Sequence, residues 1–245
     1  MTDYEFTTNV HSSAGALVAA RRIFGEDVPE SLLDVGCGGG TWLHAAQALG
    51  IADLVGVDGQ SLSQHREIAC DVLIHDLTKP FDLQRKFDLV LCLEVAEHLP
   101  ETSAATLVES LCRHGDHIVF SAACPAQHGQ HHVNCQWPTY WQALFNAEGF
   151  ECADAIRWDL WHESKVEPWY RQNLFTARRS PSQAGKEPRL SAVIHPDMIE
   201  FLHLLDREEV ERGAQPLSWY FRALVTAAKA RAKRFVPDRL KHSNG

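Results

Sequence analysis

The stretch Leu32–Leu43, LLDVGCGGGTWL, decides the fold. Ser31–Val35 is a short apolar run closed by glycines, which predicts a buried strand. Thr41 to Leu49 has helical character and stops at Gly50. Between them lies Asp-x-Gly-x-Gly-x-Gly, from Asp34 to Gly40. Glycines there let the backbone turn sharply and let a ligand approach without Cβ clashes. Outward from this loop, strands are expected at Leu54–Val57, Asp71–His75, Phe87–Leu93, His117–Ser121, Ala153–Leu160 and Asn173–Arg178. Helices are expected at Ser13–Phe24, Ala104–Arg113 and Pro138–Glu148, the last opened by proline and closed before Gly149. Strands alternating with helices predict an α/β fold, a mostly parallel Rossmann-like sheet with helices on both faces. Its ligand then sits at the carboxyl ends of the strands, near the topological switch point.

The domain is expected to span residues 1–180. Pro181 to Pro188 reads as a linker, and 189–245 as a C-terminal helical extension with helices near 196–211 and 217–234. Hydrophobic residues make up 45% and charged residues 22% of the 245, which excludes a disordered or fibrous chain. Seven cysteines are scattered without a Cys-x-x-Cys pair, so neither a disulfide framework nor a zinc knuckle is expected. An acidic, polar N-terminus and the lack of any apolar run near the ~20 residues that span a bilayer point to a cytoplasmic protein. The net charge of -9 is uneven. Residues 222–245 carry seven Lys/Arg and one Asp, leaving 16 cations against 31 acids elsewhere. An acidic body argues against broad nucleic-acid binding. The basic tail follows Trp219, Tyr220, Phe221 and Leu224, a pattern for weak contact with an anionic membrane surface or simply for a solvated helix end.

Asp58 ends the second strand, 24 residues after Asp34. A carboxylate there can accept both hydroxyls of a ribose. The dinucleotide fingerprint Gly-x-Gly-x-x-Gly fails, because Thr41 stands at its third glycine. Together, LLDVGCGGGTWL, Gly56-Val57-Asp58, His75-Asp76-Leu77 and Phe87–Pro100 (FDLVLCLEVAEHLP) resemble the class I S-adenosylmethionine-dependent methyltransferases, over about residues 12–180. The resemblance implies a seven-stranded sheet with its last strand antiparallel. It implies that Asp34, Gly36, Cys37 and Gly38 line the methionine end of S-adenosylmethionine and that Asp58 and Gly59 lie at the ribose. Asp76 and Leu77 would meet the adenine, with Leu93 and Glu94 beside the sulfonium. The loop is then expected to offer N–H groups to a carboxylate and an acid to an ammonium.

Glu94-Val95-Ala96-Glu97-His98 follows the fourth strand; on a helical turn Glu94, Glu97 and His98 share one face. CPAQHGQHHVNCQW, from Cys124 to Trp137, brings His128, His131 and His132 to the adjacent edge. Carboxylates and imidazoles that converge can bind a divalent metal. The pattern is similar to the metal site of the small-RNA 2'-O-methyltransferases, and the turn is also similar to that of ubiquinone-pathway O-methyltransferases. That resemblance implies Glu94, Glu97, His98 and His132 as ligands of Mg²⁺ or Mn²⁺. Magnesium prefers oxygen donors, so two histidines favour manganese, iron or zinc. A metal-free reading makes His132, His128 or His98 a general base. A third leaves the histidines in structural hydrogen bonds.

Asn134, Trp137, Tyr140, Trp169 and Tyr170 are the candidate acceptor-binding residues, with Trp141, Trp158 and Trp161 favoured as core. Aromatic faces with amides suit sugar rings. His-Val-Asn-x-Gln-Trp-Pro and Trp-Tyr-x-Gln-Asn resemble a bacterial methyltransferase subgroup of polysaccharide and glycan biosynthesis, with Cys135 where an acid is expected. The reading is methyl transfer to a hydroxyl on a sugar or glycan precursor. The alternatives are a phenolic or other small natural product as acceptor, or a non-catalytic protein that binds the cofactor and regulates a partner. Methylation of RNA ends is disfavoured by the acidic body.

Overall fold

A computed structural model describes residues 12–60, 70–127, 129–199 and 217–234. The chain divides into two compact units at Met198. The first contains a seven-stranded sheet: β1 (Ser31–Val35), β2 (Asp53–Asp58), β3 (Asp71–Ile74), β4 (Leu89–Leu93), β5 (His117–Ser121), β6 (Phe150–Ala153) and β7 (Phe175–Arg179). The strand order is β3-β2-β1-β4-β5-β7-β6. β7 runs antiparallel to both β5 and β6, and the remaining pairs are parallel. The order reverses between β1 and β4, which opens a crevice at their carboxyl ends.

β1 and β4 are buried along their whole length, as central parallel strands covered on both faces must be. Their side chains alternate between two cores. Leu32, Leu89, Leu91 and Leu93 pack with α1 (Ser13–Phe24) and α2 (Thr41–Ala48). Leu33, Val35, Val90 and Cys92 pack on the other face with α3 (Ala104–His114) and α4 (Pro138–Ala147). Ser12 caps α1 by accepting the Gly15 N–H at 2.9 Å.

The expected strand at Ala153–Leu160 is wrong. The strand is Phe150–Ala153, and Ala155–Leu160 is a short helix, α5. The alternation in Ala-Asp-Ala-Ile-Arg-Trp-Asp-Leu mimics a strand, yet Ile156 and Leu160 meet the core at helical spacing. Arg157 is fully buried between them in sequence and donates to the Ser191 carbonyl at 2.7 Å. Asn173 closes another helix, α6 (Pro168–Asn173), so the last strand begins two residues later than expected.

The stretch read as a linker is bound to the sheet layer. Glu187 Oε1 accepts from Gln142 at 2.9 Å, Asn146 at 2.6 Å and the Cys152 N–H at 3.2 Å. Leu190, His195 and Met198 beyond it are buried, so the unit extends past residue 180. Residues 196–199 are helical, and the rest of the helix expected to 211 lies outside the described residues. In the second unit α7 (Leu217–Arg234) exposes Leu217, Phe221 and Leu224. Among the described residues no helix is long and apolar enough to cross a membrane.

Phe120 is fully buried on β5, ringed by Trp141, Phe145 and Phe175 at centroid distances of 5.1, 5.4 and 5.3 Å. Phe120→Ala is expected to cost about 3–5 kcal/mol in urea unfolding. A cost below about 1 kcal/mol would mean that this cluster does not hold the two sides of β5 together.

Candidate active site

The crevice between β1 and β4 is built first by the glycine loop. The N–H groups of Gly36 and Cys37 both donate to Val57 O, at 2.7 and 3.2 Å, and dock the loop on β2. Gly36 has φ +79°, and a Cβ on it would collide with the Val95 side chain. Glycine is therefore required twice over at this position. Gly38 N–H donates to Asp58 Oδ2 and Gln60 N–H to Asp58 Oδ1, each at 2.9 Å. Each Asp58 oxygen thus keeps acceptor capacity for a vicinal diol. Gly59 leaves open space, its nearest neighbour to a notional Cβ being His75 O at 3.8 Å. The Cys37 side chain turns away from the crevice and packs against Gly56, and burial pushes its thiol far up, so only its backbone serves the loop.

The expectation that the loop offers many N–H groups to a ligand needs correction. Those of residues 36, 37, 38 and 40 are spent within the fold. The acid is present as expected. Asp34 is buried, and its Oδ2 has no hydrogen-bond partner among the described residues. Burial, with Asp58 adding repulsion, pushes its carboxyl up to about 8. A cationic ammonium is the partner such a group lacks, so the residues fit the amino-acid end of S-adenosylmethionine. At the other end of the crevice Leu77 is buried, and Asp76 accepts from the Thr78 N–H and hydroxyl at 3.0 and 2.7 Å. Leu93, at the end of β4, is also buried.

Beyond β4 the chain does not make the single helical turn expected. Glu94 has φ +55°, and a short 3-10 turn covers Ala96–His98. Glu94 is consequently removed from the expected ligand set. Its carboxylate accepts from Asn173 Nδ2 at 3.1 and 3.3 Å and from Gln127 Nε2 at 3.1 Å. Glu97, His98 and His132 do converge, with one ligand atom from each lying within 4.8 Å of the others. The Glu97 carboxyl is buried against that of Glu94. Burial first, and then Glu94, hold this carboxyl well above its ordinary range. His98 lies edge-on to His132, with ring centroids 5.0 Å apart. Burial and then His132 push His98 down to about 4, so it is neutral at pH 7.

His132 Nδ1 lies 2.8 Å from Gln127 O. A carbonyl only accepts, so Nδ1 carries the proton and Nε2 presents a lone pair. Gly129 packs against that ring so closely that a Cβ there would strike it. His128 lies outside the described residues. His131 has φ +56° and is exposed.

The candidate acceptor residues separate. Asn134 is buried, with its N–H on Glu97 O at 3.0 Å and its Nδ2 unpartnered among the described residues. Trp137 and Tyr140 lie further along, at the start of α4, half exposed. Trp169 is half-buried, while Tyr170 is core, its hydroxyl accepting from Trp42 Nε1 at 3.2 Å. Of the tryptophans favoured as core, Trp141 is buried, whereas Trp158 is 45% exposed. Sequence reasoning did not assign Gln127, Gln172 or Cys135 a role. Gln172 bridges Cys124, Gln127 and the His195 N–H, and Cys135 Sγ lies 3.8 Å from His132 Nδ1. Burial, with Glu97 and Glu94 nearby, pushes the Cys135 thiol up to about 11, so it is no nucleophile.

Residues 14–162 match the family described as a methyltransferase domain. The chain is similar to the ubiquinone biosynthesis O-methyltransferase of Paraburkholderia phytofirmans, 30% identical over 107 residues, covering 38% of this chain and 44% of that protein. It thus spans less than half the length of the curated relative it matches. In fold it is similar to the sugar N-methyltransferase KedS8 of Streptoalloteichus sp., with a TM-score of 0.54 and 19% identity over 69% of this chain and 88% of that one. It is also similar to DesVI of Streptomyces venezuelae, with a TM-score of 0.52 and 16% identity over 69% and 92%.

Asp34 gives a stability prediction. Its folded carboxyl is raised above the ordinary 3.8, so the folded state holds the proton more tightly. The stability from protonated Asp34 is full below about pH 4 and is lost as pH rises through about 8. In cofactor-free protein the urea midpoint should fall more between pH 5.5 and 8.5 for wild type than for Asp34→Asn. Parallel pH profiles would mean that Asp34 ionises normally.

Proposed function

Since the chain belongs to the methyltransferase-domain family, with the class I S-adenosylmethionine-dependent fold, we propose that it moves a methyl group from S-adenosylmethionine to a hydroxyl on a sugar or glycan precursor. The observation that carries this reading is the Glu97–His98–His132 cluster, with Glu97 buried and both histidines half-buried, at the carboxyl edge of β4, one strand from the glycine loop. An amine is nucleophilic once neutral. A hydroxyl must lose a proton as it attacks, and a site for it needs a base or an equivalent.

Asp34 would hold the ammonium of the methyl donor, Asp58 its ribose diol, and Asp76 with Leu77 the adenine. When bound, S-adenosylmethionine would supply its sulfonium methyl to the acceptor oxygen in line with the C–S bond, whose electron pair would stay on sulfur in the S-adenosylhomocysteine released. His132 Nε2 takes the hydroxyl proton, with Nδ1–H anchored on Gln127 O to fix the tautomer. His98 suits this role less, because an imidazole that protonates near pH 4 is a weak base at neutrality. Much of the rate comes from holding donor and acceptor in line.

A second reading is favoured by the same convergence. One carboxylate and two imidazoles, His132 anchored by a backbone carbonyl, fit a divalent ion such as manganese, iron or zinc better than magnesium. When bound, such an ion would lower the pKa of a coordinated hydroxyl. Glu97, His98 and His132 would hold it, without Glu94.

His132→Ala should lower the rate of methyl transfer about 100-fold or more while leaving S-adenosylmethionine affinity unchanged. The assay is transfer of labelled methyl to a panel of monosaccharides, glycan precursors and phenols, with and without EDTA. Loss with EDTA and recovery with Mn²⁺ selects the metal reading; indifference to EDTA selects the base. Labelling of phenols alone would overturn the sugar acceptor, and no turnover with any acceptor would favour a non-catalytic role.

A further inference from the structure

Outside the catalytic edge, a cleft of about 430 Å³ runs between α4 and the segment after β7. Gln136, Trp137, Tyr140, Asn146, Glu187 and Arg189 are among the residues that line it. We propose that this cleft is a second saccharide subsite, holding sugar units of an oligosaccharide acceptor whose target unit lies at His132. The proposal rests on the reading that the acceptor is a sugar.

Three observations carry it. First, the sequence spends its two α4 tryptophans differently. Trp141 is 1% exposed in the core, while Trp137, one turn earlier, is 38% exposed in the cleft. Pro138 follows Trp137 and opens the helix, which fixes its backbone in an extended conformation. An aromatic face kept at the surface beside amides matches the C–H face and hydroxyl rim of a pyranose.

Second, the polar wall is built rather than accidental. Three donors converge on Glu187 Oε1, from Gln142, Asn146 and the Cys152 N–H. Burial pulls its carboxyl up, but those bonds outweigh it and hold it at about 2, so it stays an acceptor at any working pH. Oε2 is buried, so Glu187 orders the wall rather than facing a ligand. Arg189 adds an exposed donor that forms no salt bridge among the described residues. One cation in an acidic body suits a neutral or uronic-acid sugar and not a nucleic acid.

Third, one short segment, residues 132–136, links the cleft to the site. Val133 and Asn134 N–H groups hold Glu97 O at 2.8 and 3.0 Å. Gln136 Nε2 then donates to Asn134 Oδ1 at 3.1 Å, and Gln136 lines the cleft. An oligosaccharide lying over this segment, where Val133 is exposed, would reach both places.

The test is binding to a printed array of neutral and uronic oligosaccharides, with their monosaccharides alongside. Wild type, Trp137→Ala, Trp137→Phe and Arg189→Ala are compared, each checked by thermal melting. Wild type should bind at least one oligosaccharide more tightly than its monosaccharide. Trp137→Ala should weaken that binding about 10-fold, Trp137→Phe should restore most of it, and Arg189→Ala should weaken binding of the uronic oligosaccharides. Binding by Trp137→Ala equal to wild type, or no oligosaccharide bound, overturns the proposal. Methyl transfer to the monosaccharides is measured in parallel. Turnover of monosaccharides without an oligosaccharide preference sinks the cleft and spares the sugar acceptor. Binding that depends on Trp137 without methylation of any sugar does the reverse.

Discussion

Four segments meet at the Glu94 carboxylate. Its N–H is held by Ser121 O and Oγ at the end of β5, at 3.0 and 3.1 Å. Its carboxylate takes Asn173 from α6 and Gln127 from the loop after β5. A positive φ of 55° at a non-glycine residue is costly, by about 1 kcal/mol or more. Those bonds keep it in place. Because Glu94 turns this way, Glu97 falls into the interior, where its carbonyl fastens Val133 and Asn134. The histidine loop is thereby pinned, and His132 comes to lie beside His98. Removing the Glu94 turn would separate the Glu97–His98–His132 cluster.

The site is assembled against the grain of stability. Asp34 buries a carboxyl oxygen that no described residue satisfies, and Glu97 buries a carboxyl against a second acid, Glu94. A buried unsatisfied polar group costs free energy that a purely structural core would avoid, by about 1–3 kcal/mol even when neutral. These acids, on β1 and on the turn after the adjacent β4, stand where strand order reverses and where a ligand is expected. The surrounding layers bear the cost. β1 and β4 are completely buried, and the Phe120 cluster and the Trp42–Tyr170 contact pack opposite faces of the sheet.

Local signals were legible in the sequence. The glycine spacing from Gly36 to Gly40, the strand-end Asp58 and the proline before α4 each act within a few residues, and each stands where expected. The misreadings share a cause, which is distance along the chain. Arg157 is helical and buried, and its guanidinium donates a hydrogen bond to the Ser191 carbonyl 34 residues away. The supposed linker is bound because Glu187 finds Gln142 and Asn146 more than 40 residues upstream. Glu94 leaves the expected ligand set because Asn173, 79 residues on, claims it. Nothing in residues 181–188 or 94–98 taken alone carries that information. The grouping of Glu97, His98 and His132 was legible through the resemblance, but the departure of Glu94 from it needed the fold.

The central claim is that the crevice binds S-adenosylmethionine through Asp58 and Asp34. Calorimetric titration of the cofactor into wild type and Asp58→Ala tests it most directly. The account predicts one site per chain in wild type and a loss of about 100-fold or more in the variant, the worth of two charge-assisted hydrogen bonds. No heat with wild type, or equal affinity in a folded Asp58→Ala, would contradict it.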